Sequence, residues 1–217
     1  MRRIFFAALV LGASPALAQD QDSASQDTIG GLRIEGHAGI ERPNLNFDDG
    51  TTTYVDELGS SFTYGAEIGY DIPVSSTVTV GPYISFDTGG SDECETYSAG
   101  PNLAGTSCFH SNSNLSMGAR VAYNVSAKTE LYLTLGYDLY DVDYSDRVVN
   151  TSTSVVVANY ARNGVRDSSS IGIGANFDLS NNLYAGIGMR STSTCKSEAY
   201  GINMERFQAH VTIGFRM

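Results

Sequence analysis

From residue 207 to residue 217 the chain alternates without a break. Phe207, Ala209, Val211, Ile213, Phe215 and Met217 are apolar, while Gln208, His210, Thr212, Gly214 and Arg216 are polar or small. A strand turns successive side chains to opposite faces, so this stretch has one oily face and one wet face. The oily face carries no charge. Such a strand suits a wall with lipid on one side and a polar lumen on the other.

The same alternation recurs at 32–41, 61–72, 77–87, 113–125, 129–140, 167–177 and 183–190, which predicts eight strands. Their polar face collects Arg33, Glu35, Glu67, Arg120, Asp138, Arg190 and Arg216. Many glycines share that face, among them Gly69, Gly118, Gly136, Gly174, Gly188 and Gly214, and Tyr83, Tyr132 and Tyr184 stand beside them to fill the space. Pro82 lacks a ladder donor, so a bulge or a missing bond is expected at that point. The connections alternate in length. Those at 42–60, 88–112, 141–163 and 191–201 are long and polar, and those at 73–76, 126–128 and 178–182 are short. This rhythm predicts an all-β, antiparallel, up-and-down barrel with both termini at the short-turn end. Tyr70, Tyr123, Phe177 and Phe215 fall at that end on the apolar face, and Phe62, Phe86, Tyr137 and Phe207 fall at the other. They read as two aromatic girdles, built without tryptophan.

A soluble eight-stranded barrel shows the same alternation with the apolar face turned inward. Charge distinguishes the two. A soluble barrel would carry Lys and Glu on its outer face, whereas here the apolar face is nearly free of charge and Arg33, Glu35, Glu67, Arg120, Asp138, Arg190 and Arg216 all sit on the polar one. The membrane reading is preferred.

The start of the chain fits it. Arg2 and Arg3 precede the apolar run Ile4 to Leu11, and Ala16-Leu17-Ala18 forms a small-x-small cleavage site. Residues 1–18 read as a secretory signal peptide, 19–30 as a flexible periplasmic lead and 31–217 as the barrel. The full chain has 13 basic and 24 acidic residues, a net charge of −11. That balance argues against nucleic acid as a partner, because phosphates would be repelled. Cys94, Cys108 and Cys195 are the three cysteines. An exported chain allows a disulfide, and Cys94 with Cys108, which flank one loop, is the pair expected.

Signal peptide, eight alternating strands and an apolar end together resemble the OmpA-like and opacity-protein-like families of outer-membrane β-barrels. The resemblance covers residues 31–217 and rests on architecture. The terminal strand is similar to the one that barrel assembly machinery recognises, although that family usually ends on an aromatic residue and here Met217 follows Phe215 by two. No peptidoglycan-binding domain is expected after the barrel, unlike full-length OmpA-type proteins. The resemblance implies the outer membrane of a Gram-negative bacterium, termini in the periplasm and long loops outside. It also implies lipid and lipopolysaccharide as surroundings, and a monomer.

Three constellations are candidates for chemistry. The polar face is expected to form a buried ion-pair network, since unpaired charges in a filled lumen cost several kcal/mol. Asp138, Asp141, Asp143 and Asp146 read as a solvated rim, because they lack the Gly and Glu of an EF-hand loop. His110 and Ser113 resemble the His and Ser of outer-membrane lipid A deacylases, but at three residues apart they are expected on opposite faces. No catalytic residue, metal or cofactor is expected. The sequence reading is a non-enzymatic barrel for envelope integrity, with outer loops for adhesion or for recognition of a host or surface ligand. The alternatives are a small passive pore for ions or small solutes and, third, a lipid A-modifying enzyme.

Overall fold

The computed structural model describes residues 30–48, 53–57, 59–90, 92–194 and 202–217. The signal-peptide reading of 1–18, most of the lead at 19–30, and Cys195 lie outside the described residues.

Among the described residues ten strands make one antiparallel sheet: β1 (Gly31–Asp48), β2 (Thr53–Glu57), β3 (Ser61–Pro73), β4 (Val78–Gly89), β5 (Asp92–Gly100), β6 (Leu103–Ser126), β7 (Thr129–Asn150), β8 (Val156–Asp178), β9 (Leu183–Thr194) and β10 (Ile202–Arg216). Eight of them close a ring in the order β1-β3-β4-β6-β7-β8-β9-β10, and β10 returns to β1 from Arg33↔Arg216 up to Phe47↔Ile202. Closure removes the sheet edges from the barrel wall. All eight predicted strands are present, and β2 and β5 are additional.

Burial alternates along the wall. In β4, Thr79, Gly81, Tyr83, Ser85 and Asp87 are buried, while Pro82, Ile84 and Phe86 are exposed. The apolar side is therefore the outer one. Ile34, Ile68, Leu135, Ile173, Ile187 and Val211 are all exposed there, alongside the eight girdle aromatics. Water would not tolerate a continuous apolar band of this size, and lipid would.

The long connections differ from the sequence reading. The stretches 42–60, 88–112, 141–163 and 191–201 are expected as loops, with the Val155 to Val157 run able to extend a hairpin beyond the membrane; strands run into each, and that hairpin is present. β1 continues to Asp48 and pairs with β2, β9 continues to Thr194, and β7 and β8 stay paired up to Val149↔Val156. Polar residues on both faces hide period-two alternation, because no lipid boundary is there to enforce it. β5 is the continuation of β4 on the same flank of β6, after a break at Gly89 and Gly90. Both glycines have positive φ, 81° and 152°, which a side chain would resist.

Two irregularities matter. β3 and β4 pair at Gly69↔Tyr83 and again at Ile72↔Val80, with no pairing between, so the ladder lapses opposite Pro82 as its missing donor requires. In β6 the register with β7 jumps from Ser111↔Val142 to Ser113↔Asp141. Asn112 is thus an extra residue, and the face of every residue above it is inverted.

The short turns are closed by their own side chains. Ser75 Oγ accepts from the Thr77 and Val78 amides, and Ser180 Oγ accepts from the Leu183 amide.

Candidate functional site

The lumen is filled by charge. Among the described residues, seven carboxylates (Glu35, Glu41, Glu67, Asp71, Asp87, Glu130 and Asp138) and five arginines (Arg33, Arg120, Arg190, Arg206 and Arg216) are buried. Each is delivered by a strand whose opposite face is apolar.

The lower half is a connected network. Arg33 Nη1 lies 2.6 Å from both Glu35 Oε1 and Glu67 Oε1, and its Nε lies 3.3 Å from Asp71 Oδ2. Arg120 reaches Glu35 at 3.3 Å and Glu130 at 2.5 Å. Arg216 Nη2 reaches the same Glu130 oxygen at 2.5 Å, and Asn176 donates to it at 3.1 Å. The Tyr184 hydroxyl donates to Glu35. The upper half is a second cluster. His37 Nε2 stands 2.6 Å from Asp87 Oδ1, Arg190 lies 3.6 Å from Asp87 and 3.9 Å from Glu67, and Gln208 donates to Thr63 at 2.9 Å. Arg206 pairs with Glu41 at 3.0 Å, and Glu41 also accepts from Ser111. Asp138 accepts from Asn114 Nδ2 at 3.0 Å.

The inward glycines exist to seat these groups. A Cβ at Gly214 would collide with the Tyr184 ring, one at Gly174 or Gly188 with the Tyr132 hydroxyl, and one at Gly69 with the Arg33 guanidinium. The tyrosines in turn carry guanidinium groups on their faces. Arg120 sits 4.2 Å above Tyr132, and Arg216 sits 4.7 Å above Tyr184. Such desolvated stacking adds to the ion pairs. A central cavity of about 20 Å³, lined by Arg33, Glu67, Arg120, Arg190, His37 and His210 among others, has room for about one water molecule.

The seven lumenal residues named from sequence, Arg33, Glu35, Glu67, Arg120, Asp138, Arg190 and Arg216, are all buried in this interior. Asp138 stands apart from the lower network, bonded to Asn114. Glu41 and Asp71, which the alternation puts on the inward face, join the interior charges along with Asp87, Glu130 and Arg206, none of which is among the seven named from sequence. Each obeys the alternation of its strand, but each sits at a strand end or just beyond the expected boundary, where the pattern is thinnest. Of the girdle residues, Tyr70, Tyr123, Phe177, Phe215, Phe62, Phe86, Tyr137 and Phe207 all stand on the outer face, from 36% exposed at Tyr137 to 62% at Phe62.

Two sequence expectations change. His110 and Ser113 fall on the same face, not opposite faces, because the Asn112 bulge lies between them. His110 is engaged elsewhere, with Nδ1 2.7 Å from Asp92 Oδ1. The acidic rim is not one cluster either. Asp138 points into the lumen with 0% exposure, Asp143 accepts from Asn112 at 2.9 Å, and Asp146 accepts from the Tyr97 hydroxyl at 2.9 Å. That bond raises the Tyr97 pKa above the ordinary phenol value, since a neutral phenol donates to the carboxylate and a phenolate would face its charge.

Above the barrel rim β5, β6, β7 and β8 continue as a four-stranded lobe. The Cys94–Cys108 disulfide cross-links β5 to β6 within it, at directly paired positions. On one face Tyr97, Asp146, Tyr144 and Tyr160 gather, with the Tyr144 and Tyr160 rings 6.3 Å apart. The β7–β8 turn is held by Asn150 Oδ1, which accepts from the Ser152 and Thr153 amides.

An apolar outer band, a charge-filled interior and a closed eight-stranded ring define an integral membrane barrel of the outer-membrane type. The profile of the outer membrane protein beta-barrel domain family matches residues 4–215, and the chain belongs to that family. It is similar in structure to Ail, the attachment invasion locus protein of Yersinia pestis, at 11% identity over 84% of this chain and 98% of that one, with a TM-score of 0.40. It is similar also to Neisserial surface protein A, at 11% identity over 84% and 96%, with a TM-score of 0.44. A third similar structure is the outer membrane protease OmpT of Escherichia coli, at 9% identity over 89% and 100%, with a TM-score of 0.46. No curated protein matches the sequence.

Proposed function

We propose that this chain is a non-enzymatic outer-membrane protein that strengthens the envelope and displays a rigid lobe for adhesion or recognition outside the cell. The observation that carries this reading is the filled lumen. Arg33, Arg120 and Arg216 tie β1, β6 and β10 to carboxylates on β1, β3 and β7, and the cavity between them has room for about one water. An interior packed in this way braces the wall and leaves little for an ion to pass through. The lobe supports the second half of the proposal. Paired strands and a disulfide hold it rigid, so a ligand would meet a preorganised surface rather than a loop that must be ordered on binding. In this reading residues 1–18 direct export, the termini lie in the periplasm, and the lobe stands on the extracellular side. Assembly machinery inserts the barrel, and lipid and lipopolysaccharide surround the outer band.

Planar-bilayer recording of the refolded barrel tests the reading, with folding checked by the shift in gel mobility on heating. A folded, electrically silent barrel is the expected result. Discrete steps that change when Arg120 or Glu67 is replaced would establish a lumenal path and a transport role instead.

A further inference from the structure

At the end of the lobe farthest from the barrel, charge disappears. Residues 96–107 on β5 and β6 and residues 148–161 on β7 and β8 hold no Asp, Glu, Lys or Arg, although 17% of the chain is charged. The two turns are joined, with the Thr151 amide donating to the Asn102 carbonyl at 2.8 Å, so these stretches form one end. Val155, Val156 and Val157 stand there, 57%, 41% and 53% exposed, and Tyr97 and Tyr160 are exposed just behind them. Exposed valines in succession put apolar surface on both sides of the sheet.

None of the stretches outside the described residues can reach this end. Residues 195–201 join Thr194 to Ile202, and seven residues can rise and return over at most about 14 Å. Thr194 pairs with Ser168, and Ser168 with Asp138. Val156 pairs with Val149, eleven residues beyond Asp138 on β7, which is about 36 Å along the strand. Residues 49–52 join β1 to β2, across the ring from β7, and the chain before Gly31 enters at the opposite end of the barrel.

We propose that this end docks into a second, zwitterionic bilayer facing the one that holds the barrel. The inference deepens the adhesive role proposed above and rests on it. Four features support lipid as the occupant. First, the valines face both ways. A protein groove covers one face of a sheet, whereas a fluid bilayer closes around both. Second, the turn satisfies its own backbone. The amides of Asn150 to Thr153 are bonded in succession to the Val155 carbonyl, the Asn102 carbonyl and, for the last two, Asn150 Oδ1. A segment entering lipid must supply its own partners in this way. The side chains of Thr151 to Ser154 are polar but uncharged, which suits insertion of only about 5–10 Å, where headgroups and esters remain in reach. Third, Tyr97 and Tyr160 lie on one face at neighbouring levels, and a ring with a polar tip favours the headgroup boundary. Fourth, the charge behind the end excludes an anionic target. Residues 92–95, 141–147 and 162–166 hold six acids and three arginines, so anionic headgroups would be repelled.

Flotation tests the proposal. The full barrel is placed in lipid nanodiscs and mixed with phosphatidylcholine vesicles. The wild-type protein should float with the vesicles, and salt from about 0.1 to 1 M should change this little, since no ion pair carries it. Val155→Thr, Val156→Thr and Val157→Thr together keep the β-branched shape and should weaken partition about thirtyfold, because three half-exposed side chains lose a methyl group each. The chain has no tryptophan, so Val156→Trp places a single indole at the end and Asn163→Trp places one lower on β8. Brominated phosphatidylcholine in the vesicles should quench the first and spare the second. The heat-dependent gel shift confirms in every case that the barrel is folded. Wild-type protein that does not float overturns the proposal and leaves a protein groove as the occupant. A threonine variant that floats like wild type, equal quenching at both positions, or binding that needs anionic lipid and vanishes in salt overturns it as well. A nanodisc exposes both faces, so the vesicle result is independent of which side of the cell the lobe occupies. Proteolysis of intact cells reads that side separately, and a protected lobe would refute the adhesive role without touching the vesicle result.

Discussion

Glu130 is the residue on which the lower lumen converges. One of its oxygens accepts from Arg120 and Arg216, both at 2.5 Å, and from Asn176 at 3.1 Å. Glu130→Gln keeps the shape and one accepting oxygen and removes the charge. Two buried arginines then lose their shortest carboxylate contact. Arg120 keeps Glu35 at 3.3 Å, and Arg216 keeps Asp71 at 3.6 Å. Removing one partner of a buried ion pair costs about 3–5 kcal/mol, because the remaining charge stays desolvated. At about 1.4 kcal/mol per factor of ten, the folding equilibrium should fall by roughly two to nearly four orders of magnitude. Guanidinium titration of the barrel in lipid vesicles reads this as a lowered midpoint at unchanged slope. Leu135→Val, on the lipid-facing wall, serves as control and should move the midpoint little. If Glu130→Gln falls within about 1 kcal/mol of wild type, the network is not held by charge and the argument for a braced lumen fails.

Three further outcomes are expected. Gly118→Ala should cost about 1–3 kcal/mol in the same titration, since its Cβ would collide with the Leu135 carbonyl across the β6–β7 ladder and force the strands apart. Replacing Cys94 and Cys108 by Ala removes a cross-link over 14 residues, worth about 3 kcal/mol in the chain-entropy view, but only from the lobe. Limited proteolysis should then cut between β5 and β6 while the barrel keeps its heat-dependent gel shift. Tyr97 should titrate above pH 10, and Asp146→Asn should bring it down, as followed by NMR of labelled tyrosine. The sign follows from the raised folded-state pKa. The Tyr97–Asp146 contact stabilises the lobe fully below the unfolded phenol value and is lost as pH rises through the folded one.

Within the membrane wall the sequence was nearly sufficient. A strand between lipid and a polar lumen must alternate, so Phe207 to Met217 and its seven counterparts declare their faces residue by residue. The same rule placed Arg33, Glu35, Glu67, Arg120, Asp138, Arg190 and Arg216 in one interior, and the spacing of Cys94 and Cys108 pointed to their bridge. Outside the wall the rule lapses. β2, β5 and the upper part of β6 look like loops in the sequence, and only the Val155 to Val157 run hints at the β7–β8 hairpin, because water on both sides removes the pressure to alternate.

Only the tertiary structure decided who pairs with whom. Alternation gives a face and not a partner, so nothing in the sequence says that Glu130 gathers Arg120 and Arg216 from two other strands. One inserted residue, Asn112, turned His110 onto the face of Ser113, since a period of two makes every face depend on the register below it.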